Sequence, residues 1–421
     1  MSKLHKNDLL RTFVELEGNP KWSLITEPLW YIPFALFSPF ASLYMYQLGL
    51  TNKEIGLLIS VGFVVQMFAA FTGGVLADKL GRRLSTLIFD FIAWSVPCLI
   101  WAFAQNFYWF LIATLFNSLF QITNTTWNCL FIEDCPPKHL TNAYTLGQVT
   151  GLLSVFFAPL AVFLVNKYSV VDVVSVIYFI SAISMGAKFI ILYIFGSETK
   201  IGKIRMEETR NISYIRMFAG YKDVFKKIFK SSRMLFVLSF MAIANIFTIA
   251  INNFFSLYVT QSLSISDEYI AIFPIIRTVI MLLFLIILQN LMNRLKMKNS
   301  LLIGIAFYIL SHLVLIFAKQ HDIFSVILYT LFEAIAFAIV MPRKDAIMAF
   351  YVDVNERSRI YAVFNAGTIA VSIPFGVIVG NLFDANPIFP FIFNIILFLL
   401  LSFLVIKLKA IKNYDEETTN Q

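Results

Sequence analysis

Twelve long apolar runs govern what this chain can become. A helix needs about 20 mainly apolar residues to cross the hydrocarbon core of a bilayer. Runs of that kind occupy residues 29–48, 54–77, 84–104, 107–131, 143–165, 171–195, 233–259, 268–292, 300–318, 322–343, 359–383 and 387–408, called spans 1 to 12 below. They are continuous, whereas the tilted strands of a membrane barrel are about half as long and alternate apolar with polar residues. Lipid offers no hydrogen-bond partner, so each run must satisfy its own backbone as a helix. The expected fold class is therefore all-α and integral to the membrane. Composition agrees: of 421 residues, 59% are hydrophobic and 14% charged, against about 25% charged in soluble domains.

Lysine and arginine set the expected orientation. With the N-terminus inside, the cytoplasmic segments carry 28 of the 33 basic residues. The outer loops carry only Lys53, Lys167 and Lys319, while Lys188 and Arg277 lie within spans. Both termini are thus expected in the cytoplasm, with the chain in the plasma (cytoplasmic) membrane. Residues 1–26 lack the apolar core of a cleavable signal peptide, so span 1 is expected to be retained. Cys98, Cys129 and Cys135 show no metal-ligand or disulfide spacing and read as small apolar packers.

The connection between spans 6 and 7 is long and basic, and it divides the chain. The expected organisation is a cytoplasmic N-terminal segment 1–28, a six-helix bundle 29–195, a cytoplasmic central loop 196–232, a second bundle 233–408 and a tail 409–421. The halves repeat weakly. "DKLGRR" (78–83) precedes "NRLKMK" (293–298) by 215 positions, and "NAYTLGQ" (142–148) precedes "RIYAVFN" (359–365) by 217. Two similar six-span halves are expected of a transporter whose site lies where the repeats meet.

The most specific motif is "GGVLADKLGRR" (73–83), the hinge between spans 2 and 3. Its glycines permit close helix approach, Asp78 suits a helix terminus or a basic partner, and Lys79, Arg82 and Arg83 hold the turn inside. Gly74, Asp78, Gly81, Arg82 and Arg83 reproduce the spacing Gly-x-x-x-Asp-Arg/Lys-x-Gly-Arg-Arg/Lys, and this resembles the signature loop of the major facilitator superfamily. Span number, hinge position and the long central loop match as well. The resemblance implies twelve transmembrane helices in two pseudo-symmetric halves. It also implies that the loop is a conformational latch, with Gly74 against span 11 and Asp78 near Arg357 or Arg359. The second-half copy is degenerate, with Gln289 and Asn293 at the glycine and aspartate positions. Two departures set the chain apart from the superfamily's drug–proton antiporters: span 4 has no arginine, and span 5 has no Gly-Pro pair.

In that family, spans 1, 4, 7 and 10 line the central cavity. Asn117, Gln121, Asn124 and Asn128 recur at helical spacing on span 4, and Asn245, Thr248, Asn252 and Ser256 on span 7. Such stripes must face protein or water rather than lipid, either as cavity lining or as interhelical hydrogen bonds. Span 1 adds Tyr31 and prolines 28, 33 and 39, which bend it. Amides with aromatics suit a polar, largely uncharged solute such as a sugar or nucleoside, and also an amphipathic drug-like molecule.

Charges within spans are the sharpest signal, because a charge at a helix centre costs about 2.5–3.5 kcal/mol on insertion scales. Arg277 in span 8 and Glu333 in span 10 both fall near the bilayer midplane. They read as a static pair or as a proton-loading site, with Glu333 taking the proton and Arg277 tuning it or holding a substrate group. Asp90 is expected to find a structural partner near the hinge arginines, Lys188 to snorkel from the inner end of span 6, and His312 to pack. Glu133, Asp134, Arg343, Lys344 and Asp345 end spans 4 and 10 and read as gate or latch charges.

The expected function is secondary transport of a small organic solute by alternating access, coupled to protons through Glu333. The alternatives are drug efflux by proton antiport and a transporter-shaped sensor or binding protein. There is no Gly-x-x-x-x-Gly-Lys-Ser/Thr loop for ATP and no nucleophile elbow, so no enzyme activity is expected. No cofactor, metal or nucleic acid is called for. The expected partners are a small-molecule substrate, protons and the lipid bilayer, with the protein a monomer.

Overall fold

The structure, a computed structural model, describes residues 8–136, 139–219, 226, 229–287, 295–351 and 357–407. Its regular elements are helices, and no strand occurs among the described residues. Nine of the described helices are long and apolar enough to cross a membrane, and they cover spans 2, 3, 5, 6, 7, 9, 10, 11 and 12.

Of the other three spans, two are broken for local reasons and one is described only in part. Span 1 is broken into helix Pro28–Phe37, a 3-10 turn Ser38–Phe40 and helix Ala41–Gln47. Its prolines lack an N–H and crowd the preceding turn, which interrupts the helical ladder. Span 4 divides into Phe107–Asn117 and Phe120–Ile132, and at the break the Ser118 hydroxyl donates to the Thr114 carbonyl at 2.7 Å. The helix of span 8, Ile272–Ile287, runs into residues 288–294, which lie outside the described residues together with Gln289 and Asn293.

Polar segments also fold. Helix Asp8–Glu15 stands where "DLLRTFVELE" predicts an amphipathic surface helix. Helix Gly18–Thr26 was not expected; it buries Asn19, Ser23 and Thr26. Asn19 explains part of this, because its amide donates to the Ser197 carbonyl and accepts from the Ser197 N–H, both at 2.9 Å. The start of the central loop forms helix Lys200–Thr209, capped by Thr199, whose hydroxyl accepts from the Gly202 N–H at 2.8 Å.

Among the described residues, three π turns interrupt the spans: Phe91–Ser95 in span 3, and Ala250–Phe254 and Tyr258–Ser262 in span 7. Each i→i+5 turn rotates the following side chains out of the expected phase. On span 7, Asn252 is exposed while Ser256 is buried, so the predicted stripe does not continue to Ser256.

The chain forms two compact units. Unit 1 comprises Met1–Ser38, Gln47–Leu50 and Val61–Gly220; unit 2 comprises Pro39–Tyr46, Thr51–Ser60 and Tyr221–Gln421. The aromatic core of unit 1 includes Trp30 stacked on Phe34 at 4.8 Å, with Trp94 edge-on to both. In unit 2, Phe247, Tyr308 and Phe398 pack with ring centroids 4.9–5.0 Å apart. Buried His312 sits among these rings, its Nδ1–H donating to the Tyr308 carbonyl (3.0 Å) and its Nε2 lying 3.1 Å from the Asn394 amide nitrogen, which is the packing role expected of it. The beginning of span 2 belongs to unit 2, where Gly56 meets Gly376 and Gly380 of span 11 in backbone contact.

Candidate functional site: a capped hinge and two buried charge centres

The hinge of unit 1 is built around one glycine. Gly81 has φ +83°, a left-handed conformation, and a Cβ there would lie 2.5 Å from a Glu198 carboxylate oxygen. The turn exposes the first N–H groups of helix Arg82–Asp90. Glu198 takes two of them: Arg82 N–H donates to Oε1 at 2.9 Å and Arg83 N–H to Oε2 at 3.0 Å. A carboxylate is favoured there by the unpaired N–H groups and by the helix dipole.

The hinge side chains are all engaged within unit 1. Arg82 is buried, donates to both Glu133 oxygens at 3.1 Å and pairs with Asp78 at 3.2 Å. The Thr199 hydroxyl makes a very short bond to Glu133. Arg83 donates through Nε and Nη2 to the Tyr193 carbonyl at 2.8 and 2.6 Å and lies over the Tyr193 ring. Asp78 also pairs with Arg205 of the central loop at 2.9 Å, and the Thr209 hydroxyl donates to its carbonyl. The hydrogen bond from Arg205 to Asp78 raises the guanidinium further above its ordinary value. Glu198 and Arg205 were missed in the sequence because neither lies in the motif; Glu198 is opposite in charge to the hinge arginines and Arg205 to Asp78, and that was the available signal. Gly74 is half-buried on helix Asn52–Leu80. The side chains of Arg357, Arg359 and Asp345 lie outside the described residues.

The first buried charge centre is in unit 2. Arg277 donates to Glu333 through Nε at 2.7 Å and through Nη2 at 3.1 Å. The Glu333 side chain is 3% exposed and that of Arg277 is 32% exposed. The guanidinium also lies 4.4 Å from the centre of the Phe337 ring. Tyr308 and Tyr329 lie within electrostatic reach of both partners, and their buried hydroxyls have no hydrogen-bond partner among the described residues.

The second centre, in unit 1, corrects an expectation. Lys188 does not snorkel. Its ammonium pairs with Glu27 at 2.9 Å, and both side chains are 6% exposed. Trp30, Trp127 and Phe189 surround it with ring centroids 5.7–5.9 Å away. The carboxylate of Glu27 holds it more firmly than a long reach to the headgroups would. Asp90 likewise has no hinge arginine as partner, since Arg82 and Arg83 are taken at the hinge. Its neighbours are Lys188, Glu27 and Thr123.

The predicted polar stripes divide. Asn117 leaves the span 4 face and donates to the Ala93 carbonyl at 2.9 Å, within the π turn of span 3. Gln121 is buried and accepts from Asn124 at 3.2 Å. Asn124 and Asn128 are exposed, and Asn128 accepts from Tyr144 at 2.6 Å. Tyr31 is half-buried against Gly151, where a Cβ would meet its ring at 2.9 Å. Asn245 donates to Ser372 at 2.8 Å, an interhelical bond, while Asn252 is exposed. Arg343, expected as a gate charge, is buried and donates to Ser300 at 2.6 Å. A groove of about 590 Å³ in unit 1, lined by residues such as Leu29, Ile32, Leu160 and Ile180, includes none of the predicted cavity residues. Its apolar walls suit acyl chains rather than a polar solute.

Known proteins place this arrangement in a family. The profile described as "Major Facilitator Superfamily" matches residues 29–310 and 238–420. The quinolone resistance protein NorA of Staphylococcus aureus is 27% identical over 124 residues, 30% of this chain and 31% of that protein. The multidrug resistance protein MdtG of Salmonella paratyphi A is 30% identical over 30% of this chain and 33% of its own length. The chain thus spans about a third of the length of the curated relatives it matches. Similarity of fold extends further. The crystal structure of the nucleoside transporter NupG superposes with a TM-score of 0.68 at 16% identity, covering 94% of this chain and 99% of that one. A POT family transporter in complex with 5-aminolevulinic acid gives 0.70 at 13% identity, covering 94% of this chain and 96% of that one. With the hinge motif, the membrane-spanning helices and profile matches over residues 29–310 and 238–420, the chain belongs to the major facilitator superfamily.

Proposed function

We propose that this transporter moves a small polar organic solute, such as a sugar or nucleoside, across the cytoplasmic membrane by alternating access, with protons as the coupling ion. The Arg277–Glu333 pair carries this reading. As long as both groups are ionised, the guanidinium spends two donors on a buried carboxylate. A proton on Glu333 removes that acceptor's charge and frees the guanidinium of Arg277, whose side chain is partly exposed, to bind solute oxygens. The unpartnered hydroxyls of Tyr308 and Tyr329 supply further donors at the same centre. Exposed Asn252, also in unit 2, offers the kind of amide contact that a hydroxyl-rich solute uses. In this reading the hinge around Asp78, Arg82 and Arg83 is the latch, both termini are cytoplasmic, and the protein acts as a monomer without a cofactor.

A second reading, drug efflux by proton antiport, draws on the partial similarity to NorA and MdtG. Both readings are tested in proteoliposomes with an internal pH-sensitive dye and a panel of sugars, nucleosides, amino acids and drug-like cations. The first predicts proton flux evoked by a polar solute and lost in Glu333→Gln. A response confined to the drug-like cations would replace it with the second. Solute uptake without proton movement, unchanged in Glu333→Gln, would refute coupling through Glu333.

A further inference from the structure

Asp90 is 5% exposed and takes part in no ion pair among the described residues. It lies about 12 Å along the helix from Arg82, at 1.5 Å per residue, and so within span 3. The charged groups facing it are Lys188 from span 6 and Glu27 from the turn ahead of span 1. Lys188 is already committed to Glu27 at 2.9 Å. Span 4 offers the Thr123 hydroxyl, which donates its proton to the Phe120 carbonyl at 2.8 Å. Cys129 of the same helix lies with Glu133, Arg82 and Asp78 at the hinge. Tyr31 lies beside Glu27. The rest of span 3 and helix Phe107–Asn117 contain no acid or base.

Two carboxyls therefore share one buried ammonium. With all three ionised, the cluster carries an uncompensated negative charge, and a buried group in that position neutralises rather than remain charged. Glu27 has the direct contact with Lys188, so the unbalanced group is Asp90. The π turn that starts directly after Asp90 is a second local irregularity, of a kind that gathers at functional positions. An ionisable group within a span is itself a functional candidate.

We propose that Asp90 binds an exchangeable proton and forms, with the Lys188–Glu27 pair, a second proton site in unit 1 that is independent of Glu333. On release, the carboxyl O–H bond breaks and the proton passes to water. The new carboxylate then draws Lys188, whose ammonium stands between two acids instead of resting on Glu27 alone. Because Trp30 and Trp127 face that ammonium, its displacement changes their emission.

The test uses the full-length protein in nanodiscs, with Trp22, Trp94, Trp101 and Trp109 replaced by Phe so that Trp30 and Trp127 remain. Fluorescence is followed through a pH titration, and infrared difference spectra are recorded in parallel. The expected result is a one-proton step that is unchanged in Glu333→Gln and absent in Asp90→Asn. The step should coincide with a protonated-carboxyl C=O band that Asp90→Asn also removes. Asparagine matches the shape of the protonated acid, so that variant should fold, and the infrared band needs no tryptophan replacement. A flat titration, a step that survives in Asp90→Asn, or a carboxyl band unaffected by Asp90→Asn would each overturn the proposal. Histidine titration is separated by the same comparison, since Asp90→Asn leaves every histidine in place.

Discussion

Arg277 and Glu333 form a two-point ion pair in which the acid is buried and the base is partly open, at 3% and 32% side-chain exposure. Removing one member of a buried pair leaves the other charge uncompensated and costs about 3–5 kcal/mol, whereas replacing both together is often nearly neutral. Arg277→Met should therefore lower the melting temperature clearly. Arg277→Met combined with Glu333→Gln should recover most of that loss while transport stays abolished. Thermal unfolding of the purified variants, read beside solute uptake, checks this. Full recovery of uptake in the double variant would make the pair purely structural.

The Lys188–Glu27 pair predicts the same pattern in unit 1, with an added aromatic contribution. Lys188→Met strands the Glu27 carboxylate and removes cation–π contacts to Trp30, Trp127 and Phe189, each worth about 0.5–2 kcal/mol. It should be the most destabilising single change in this cluster. Lys188→Met with Glu27→Gln should be milder than Lys188→Met alone, and melting curves of the four proteins complete the cycle. A lysine that instead reached to the headgroups would give Lys188→Met little effect, and the double variant would then match it.

At the hinge, backbone geometry should matter more than side-chain charge. Gly81→Ala places a Cβ 2.5 Å from Glu198 in a left-handed conformation that costs an ordinary residue roughly 1–2 kcal/mol before any clash. Glu198→Ala uncaps two main-chain N–H groups at the start of span 3. Both should lower stability and uptake. Arg205→Ala removes a pair whose arginine is 43% exposed, and surface pairs contribute about 0–1 kcal/mol, so its melting temperature should stay near wild type. An Arg205→Ala effect as large as that of Gly81→Ala would show that the central-loop helix, rather than the turn, holds the hinge.

What the sequence revealed depended on the range of the physics involved. Apolar length is a local property and sufficed for nine of the twelve spans among the described residues, and the hinge spacing sufficed for the family. Arg277 and Glu333 were legible because an intramembrane charge is costly and two of opposite sign invite pairing. Lys188 misled because a lysine near a span end usually reaches water, and Glu27 sits outside the apolar run that would have advertised it. Asn117 left its stripe for a carbonyl in a π turn, and π turns have no clear sequence signature. Glu198 and Arg205 reach the hinge only through folding of the central loop, which composition alone presents as a basic linker.

The glycines where span 2 meets span 11 allow a last contrast. A Cβ on Gly376 would lie 2.6 Å from the Gly56 carbonyl and 2.7 Å from the Ser60 N–H nitrogen, and one on Gly56 would lie 2.4 Å from the Gly376 carbonyl. These are main-chain atoms in helices and cannot turn aside. Overpacking of this kind costs about 1–3 kcal/mol. Ser60 adds a bond from outside the helix, accepting from the Val377 N–H at 2.9 Å. Gly147 differs, since its nearest neighbour is a Leu24 methyl at 3.9 Å. Alanine fits there and favours the helix by roughly 0.5–1 kcal/mol over glycine. Melting of the purified variants should rank Gly147→Ala at or above wild type and Ser60→Ala slightly below it, with Gly376→Ala and Gly56→Ala lowest. If Gly376→Ala melts like wild type, the backbones do not touch there, and the grouping of residues 51–60 with unit 2 rests on side chains alone.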